Sequence, residues 1–147
     1  MTVNETLNKL LTLYGDGGAG NAPTKAQWQR VVERDPDHPF ALVNFFKFNK
    51  VANYQNGSAG NVSGDVAFQR YADVSIPSMQ KAGGEFLLVA PFAGSLLGED
   101  QDWDLVAIGK YPKLQAFLDL YLNPDYVDAF AHRVAAVERQ TVLITEL

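Results

Sequence analysis

Phe40-Ala-Leu-Val-Asn-Phe-Phe-Lys-Phe48 is the stretch on which the fold turns. It has the length of a strand, and both alternating sets of its side chains are mostly apolar, the pattern of a strand covered on two faces. Asn44 breaks the pattern. A buried amide needs partners, and two readings stand: a hydrogen bond to the sheet or a neighbouring side chain, or a contact to a ligand or an oxygen-activating site.

Downstream, Asn49 to Gly64 is rich in Asn, Gly and Ser and has no periodicity, so it reads as a loop, of a size that usually serves a function such as a lid. From Asp65 the spacing predicts a helix with Phe68, Tyr71, Ala72, Met79 and Ala82 on one stripe, kinked at Pro77 and ended by Gly83-Gly84. Glu85 to Leu97, interrupted by Pro91 and Gly94, suits an edge strand with a bulge. Trp103 to Tyr111 reads as a strand, and Pro112 then opens a helix with Leu114, Phe117, Leu118 and Tyr121 inward. Asn123-Pro124 restarts that helix as cap and first residue. Tyr126, Val127, Phe130, Val134 and Val137 form the last helical stripe, and Gln140 to Leu147 closes the chain as a strand.

Upstream, Leu7, Leu10, Leu11 and Tyr14 recur at helical spacing and run into Gly15-Asp16-Gly17-Gly18. Thr24 with Gln27 has the form of a capping box for a second helix carrying Trp28, Val31 and Val32. Residues 1–39 therefore read as a helical arm, and 40–147 as the main domain. Strand, helix, strand, strand, helical pair, strand is the order of an α+β, ferredoxin-like βαββαβ domain, with helices on one face of an antiparallel sheet. Its other face would be oily, so the expectation is a homodimer packed sheet against sheet.

Composition narrows the classes of function. The 147 residues are 47% hydrophobic and 20% charged, the balance of one globular domain. Zero cysteines exclude disulfides, thiolate metal sites and a cysteine nucleophile. Twelve Lys and Arg, scattered against 17 Asp and Glu, give no electrostatic basis for binding nucleic acid or an anionic membrane. No run approaches the roughly 18 apolar residues of a membrane span, and Met1 to Tyr14 lacks the features of a signal peptide, so a cytoplasmic location is expected. Gly15 to Gly20 matches a dinucleotide fingerprint literally, but no strand precedes it, and it reads as a helix-stop linker. Asn4-Glu5-Thr6, Asn56-Gly57-Ser58 and Asn61-Val62-Ser63 fit the glycosylation pattern and read as cap and turn residues.

An ordered set of short motifs adds to this reading: Val43-Asn44-Phe45-Phe46-Lys47-Phe48, Ala67-Phe68-Gln69-Arg70-Tyr71-Ala72, Pro77, Gly83-Gly84, Trp103-Asp104, Lys110-Tyr111-Pro112, Ala116-Phe117-Leu118, Pro124-Asp125-Tyr126 and His132-Arg133. Together they resemble the domain-of-unknown-function thirteen-thirty family, within the dimeric α/β-barrel superfamily. The resemblance spans roughly residues 40 to 147. It implies a ferredoxin-like fold, dimerisation through the sheets and no established reaction. Superfamily relatives include cofactor-independent monooxygenases, muconolactone isomerases and haem-dependent enzymes, so fold alone does not choose a chemistry.

The candidate site is an aromatic-lined cavity between sheet and helices, holding a small, partly apolar ligand through Asn44, Tyr71, Trp103, Asp104, Tyr126 and Arg133. Asp104 is the candidate acid or base if buried, and a hairpin cap if solvated. Asn44 and Arg133 are the candidate oxyanion stabilisers. Arg133 either reaches inward to an anionic or enolate-like group or pairs with a surface carboxylate. Tyr71, Trp103 and Tyr126 are the candidate ligand contacts. His132 reads as a surface residue rather than a metal or haem ligand, and no metal or cofactor is expected. Two classes of function follow: a small-molecule binder with cofactor-independent oxygenase- or isomerase-like chemistry, or a non-catalytic homodimeric binding or assembly protein.

Overall fold

The computed structural model describes residues 1–55 and 60–147; the Asn56-Gly57-Ser58 sequon and the centre of the Asn49 to Gly64 loop lie outside them. Helix α1 (Val3–Tyr14) starts at Thr2, whose hydroxyl accepts from the Glu5 N–H, and ends as the Gly15 N–H donates to the Leu11 carbonyl. After a 3-10 turn at Gly18–Gly20, helix α2 (Lys25–Val32) opens with the reciprocal Thr24 and Gln27 capping box, at 3.2 and 2.9 Å. Strand β1 (Phe40–Phe48), helix α3 (Gly64–Ala82), strands β2 (Glu85–Pro91) and β3 (Leu105–Tyr111), helices α4 (Leu114–Tyr121) and α5 (Pro124–Ala136), and strand β4 (Val137–Glu146) follow. Ser63 caps α3 by accepting from the Val66 N–H, and Gly83, at φ 100°, supplies the left-handed residue that stops it. Pro77 sits inside α3 without ending it.

The strands form one sheet in the order β2-β3-β1-β4, with every neighbouring pair antiparallel. β1 is central, opposing Asn44 to Ala107 on β3 and to Val142 on β4. β2 is the edge strand that its proline foretells: its register shifts between Phe86 and Leu88, and Pro91 closes it. Phe40, Leu42 and Phe46 turn to the helices, while Phe45 turns away, against Trp103 at 5.7 Å between ring centres. The arm belongs to the same core as the sheet: Leu7, Leu10, Trp28, Val31 and Val32 pack in one cluster with Phe40, Leu42, Phe117, Tyr121 and Phe130. The Tyr14 hydroxyl donates to the Tyr121 carbonyl at 2.5 Å, tying α1 to the end of α4.

Three expectations are corrected. The sheet is open, with β2 and β4 as its edges, so the chain does not form the α/β barrel. Among the described residues nothing supports the dimeric assembly attached to that barrel; the helix-free face is partly shielded by the chain itself, where Arg139 lies 4.3 Å over Trp103 and Trp103 covers Phe45. The strict βαββαβ unit also gives way. Two helices, α1 and α2, precede the sheet, and the second crossover is split into α4 and α5, because Pro124 has no N–H to continue a helix and Asn123 caps a new one. What stands is an α+β fold on an antiparallel sheet.

Val137, expected on the last helical stripe, is the first residue of β4. The cause is local: the Asn49 and Asn53 N–H groups take the Ala136 and Ala135 carbonyls, each at 2.8 Å, so the end of α5 is capped by the segment after β1. No helix among the described residues is long and apolar enough to cross a membrane.

Candidate functional site

Helical spacing sets Arg133 two turns after Tyr126 and one turn after Phe130, which puts all three on the inward stripe of α5. Arg133 is only 5% exposed. Its Nε donates to Gln140 Oε1 at 2.9 Å, Nη1 to the Tyr71 hydroxyl at 3.1 Å, and Nη2 to Asn44 Oδ1 at 3.4 Å. The guanidinium carbon lies 4.8 Å from the Phe46 ring centre and 5.3 Å from that of Phe130. Tyr71 meets Tyr126 oxygen to oxygen at 2.5 Å. Asn44, 9% exposed, donates from Nδ2 to the Ala107 carbonyl at 3.0 Å, which leaves Oδ1 for Arg133.

A buried cation usually faces a carboxylate, because taking the charge out of water is expensive. Here, among the described residues, no carboxylate lies within 4 Å of Arg133. A guanidinium has five N–H donors; the three bonds above take one on each nitrogen, and the Tyr121 side chain also bonds the group. Burial opposes the charge of Arg133, but Tyr71, Tyr121 and Tyr126 outweigh it, and the group is held protonated more firmly than usual. Burial pushes the Tyr126 and Tyr111 phenols well above their ordinary value, and raises that of Tyr121 against the opposing pull of Arg133. These three hydroxyls stay protonated, so they serve as neutral donors and not as bases.

Two hollows meet this cluster. An inner cavity of about 70 Å3 lies between β1, β3 and α3, lined by Asn44, Tyr71, Ser75, Met79, Tyr126 and Arg133. That is room for roughly five water-sized groups. An outer cleft of about 810 Å3 lies between the arm and β4. Leu42, Tyr121 and Arg133 line both.

Of the six candidate residues, the fold brings together Asn44, Tyr71, Tyr126 and Arg133. Trp103 and Asp104 stand elsewhere. Trp103 lies against Phe45 on the helix-free face and donates from its indole to Gln101 Oε1 at 2.8 Å. Asp104 closes the end of the β1 and β3 pairing: Oδ2 accepts from the Phe48 N–H at 2.8 Å, and Oδ1 lies 3.5 Å from Lys47 Nζ. Its carboxyl is thus engaged with the strand end, away from Arg133. His132 turns outward to the segment after β1, its Nδ1 2.6 Å from the Tyr54 hydroxyl.

Gln140 joins the cluster without having been singled out from sequence. The signal was its alternation with Val142 and Ile144 on the helix-facing side of β4, which puts its amide opposite Phe46. In the glycine-rich segment, the N–H groups of Gly17, Gly20, Asn21 and Ala22 are all bonded to carbonyls of the segment itself, so they form no phosphate cradle. Among the described residues no three His, Asp or Glu side chains converge on a point that could hold a metal ion.

Fold and site together define an α+β protein with an open antiparallel sheet and a buried arginine presented to two hollows. The chain belongs to the family described as Domain of unknown function (DUF1330), which matches residues 54–147. It is similar to a crystal structure of methylated RPA0582 protein, at 28% identity and a TM-score of 0.79 over 86% of this chain and 93% of that one. A second structure, of the RPA0582 protein of unknown function from Rhodopseudomonas palustris, gives 28% identity and a TM-score of 0.78 over 86% and 95%. No curated protein matches the chain.

Proposed function

We propose that this protein binds a small, partly apolar molecule bearing an anionic oxygen, in the cavity between sheet and helices, with Arg133 as its anchor. The observation that carries this reading is the buried guanidinium that lines both hollows with no carboxylate beside it. A ligand carboxylate or enolate would supply the missing charge, and charge-assisted bonds to Arg are among the stronger ones available. Asn44, Tyr71 and Tyr126 fix the guanidinium, and Met79 and Phe46 supply apolar wall. The same donors suit an oxyanion developing during reaction, so proton transfer on an enolisable ligand is the chemistry such a cavity would serve. Asp104 is not placed to act as its base. The setting in which we place this activity is the cytoplasm, on the sequence grounds given above.

Thermal unfolding with short carboxylates tests the reading. Acetate or propionate is expected to raise the melting temperature of the native protein, since a ligand present at a hundred times its Kd stabilises by about 2.7 kcal/mol. Arg133→Met should lose the response to the carboxylates. No shift with any of them, or equal shifts in the variant, would overturn the proposal.

A further inference from the structure

Ala67, Tyr71, Ser75 and Met79 follow one another at intervals of four along the buried stripe of α3. Ala67 and Met79 belong to the apolar core, and Tyr71 holds Arg133. Ser75 does neither. It is 5% exposed, and among the described residues its hydroxyl has no hydrogen-bond partner, not even the carbonyl one turn back that helical serines can take. Its oxygen is not sealed into the packing either: the sealed, unpartnered polar atoms among the described residues are Trp28 Nε1 and Arg34 Nε. Ser75 lines the inner cavity, so its hydroxyl opens there. Ile76 and Val89 line the same cavity and are 37% and 50% exposed, which gives it a mouth between α3 and β2. A polar group left unpaired inside a protein is costly, and an occupant of this cavity would satisfy it.

We infer that Ser75 determines the specificity of the inner cavity, and that the ligand class is the short 2-hydroxy carboxylates. Size sets the position of the substituent. The cavity takes about five heavy atoms; a carboxylate uses three and its neighbouring carbon a fourth, which leaves one substituent on that carbon. Ser75 makes that substituent an oxygen, because a hydroxyl can both donate to and accept from a serine. The two polar ends of the cavity lie close together: Tyr71, which carries the Arg133 contact, and Ser75 are neighbours on one helix face, about 5–6 Å apart at Cβ. Phe46, Met79, Phe86 and Ala107 form the apolar wall around them. The inference rests on the reading of Arg133 as the anion anchor, and it goes further by naming the group that the rest of the ligand carries.

The probes are glycolate and propionate, two acids of equal heavy-atom count that differ by a hydroxyl in place of a methyl. Calorimetric titration of the full chain is expected to give glycolate at least fivefold tighter binding than propionate, the worth of about one hydrogen bond. Ser75→Ala should weaken glycolate at least fivefold and leave propionate within twofold, whereas Arg133→Met should weaken both acids alike. Alanine is the better helix former, so the urea midpoint of Ser75→Ala should stay at or above that of the native protein. Should that variant fold poorly, the ranking of the two acids on the native protein still decides. If propionate binds the native protein as tightly as glycolate, or if Ser75→Ala weakens both equally, the inference is overturned while the proposed function stands. If neither acid binds, both fall.

Discussion

Tyr71 and Tyr126 place their hydroxyl oxygens 2.5 Å apart in the interior, although one comes from α3 and the other from α5. The pair is not symmetric, because only Tyr71 also accepts from Arg133, at 3.1 Å. Tyr126→Phe removes one hydroxyl and leaves the Tyr71 oxygen on the guanidinium, for a net loss of about 1 kcal/mol. Tyr71→Phe leaves a charged donor without its acceptor and should cost roughly 2–3 kcal/mol. Urea unfolding of the two variants checks the order; equal costs would break this account of the network.

Arg133→Met should behave unlike a core truncation. It removes a buried charge that has no opposite charge to lose, and the methionine fills much of the volume. It also leaves Asn44 Oδ1, Gln140 Oε1 and the Tyr71 hydroxyl without this donor, so stability should fall by roughly 1–3 kcal/mol. Arg133→Ala, which leaves a hole, should cost about 2–5 kcal/mol. A loss above about 3 kcal/mol for the methionine variant would mark Arg133 as a structural strut, not a group kept for a ligand.

Gly64 sits where β1, α3 and α5 meet, and a Cβ there would lie 2.2 Å from the Asn49 carbonyl oxygen and 2.6 Å from that of Ala136. Both obstacles are backbone. Gly64→Ala should therefore cost more than about 3 kcal/mol or prevent soluble expression. Gly109→Ala meets only the Met79 methyl, at 2.7 Å, on a flexible side chain. It should cost about 1–2 kcal/mol. Comparable midpoints for the two variants in urea would contradict the difference.

His132 carries a pH dependence of known sign. Burial, and then Arg70, hold its folded value below the ordinary 6.5. The folded state therefore binds its proton less readily than the unfolded chain. The stability involved is fully present above pH 6.5 and is lost progressively as pH falls toward the depressed folded value. Neutral Nδ1 can accept from the Tyr54 hydroxyl, whereas the protonated ring cannot, so acid should loosen the hold of Tyr54 on α5. Proton NMR should give His132 a pKa below 6.5, and His132→Asn should flatten the stability profile between about pH 5 and 7. A pKa above 6.5 would reverse the argument.

Much of this structure is written in local chemistry. The capping box at Thr24 and Gln27, the restart at Asn123-Pro124 and the closing of β2 by Pro91 each rest on a few adjacent residues, and each was readable. Asn44 was readable too, as an amide surrounded by apolar residues. Arg133 was half readable: its seven-residue offset from Tyr126 points inward, but whether a carboxylate waits there depends on Asn44, Tyr71 and Gln140, up to 89 positions away. Asp104 was left between an acid or base and a hairpin cap for the same reason, since its fate is set by the Phe48 N–H across the sheet. The outer cleft was invisible, because it exists only once the arm has docked on Tyr121 and Phe130.

The placement of β1 decides where this chain can be cut. β3 and β4 each pair with β1 and not with each other, yet β1 ends at Phe48, before the span from 54 to 147 that matches the family. A fragment excised at that boundary would hold the β2–β3 pair and a lone β4, with no strand to join them. A fragment starting at Phe40 would keep the sheet but strip the lagging from Phe117, Tyr121 and Phe130, leaving a raw oily scar in place of the cleft.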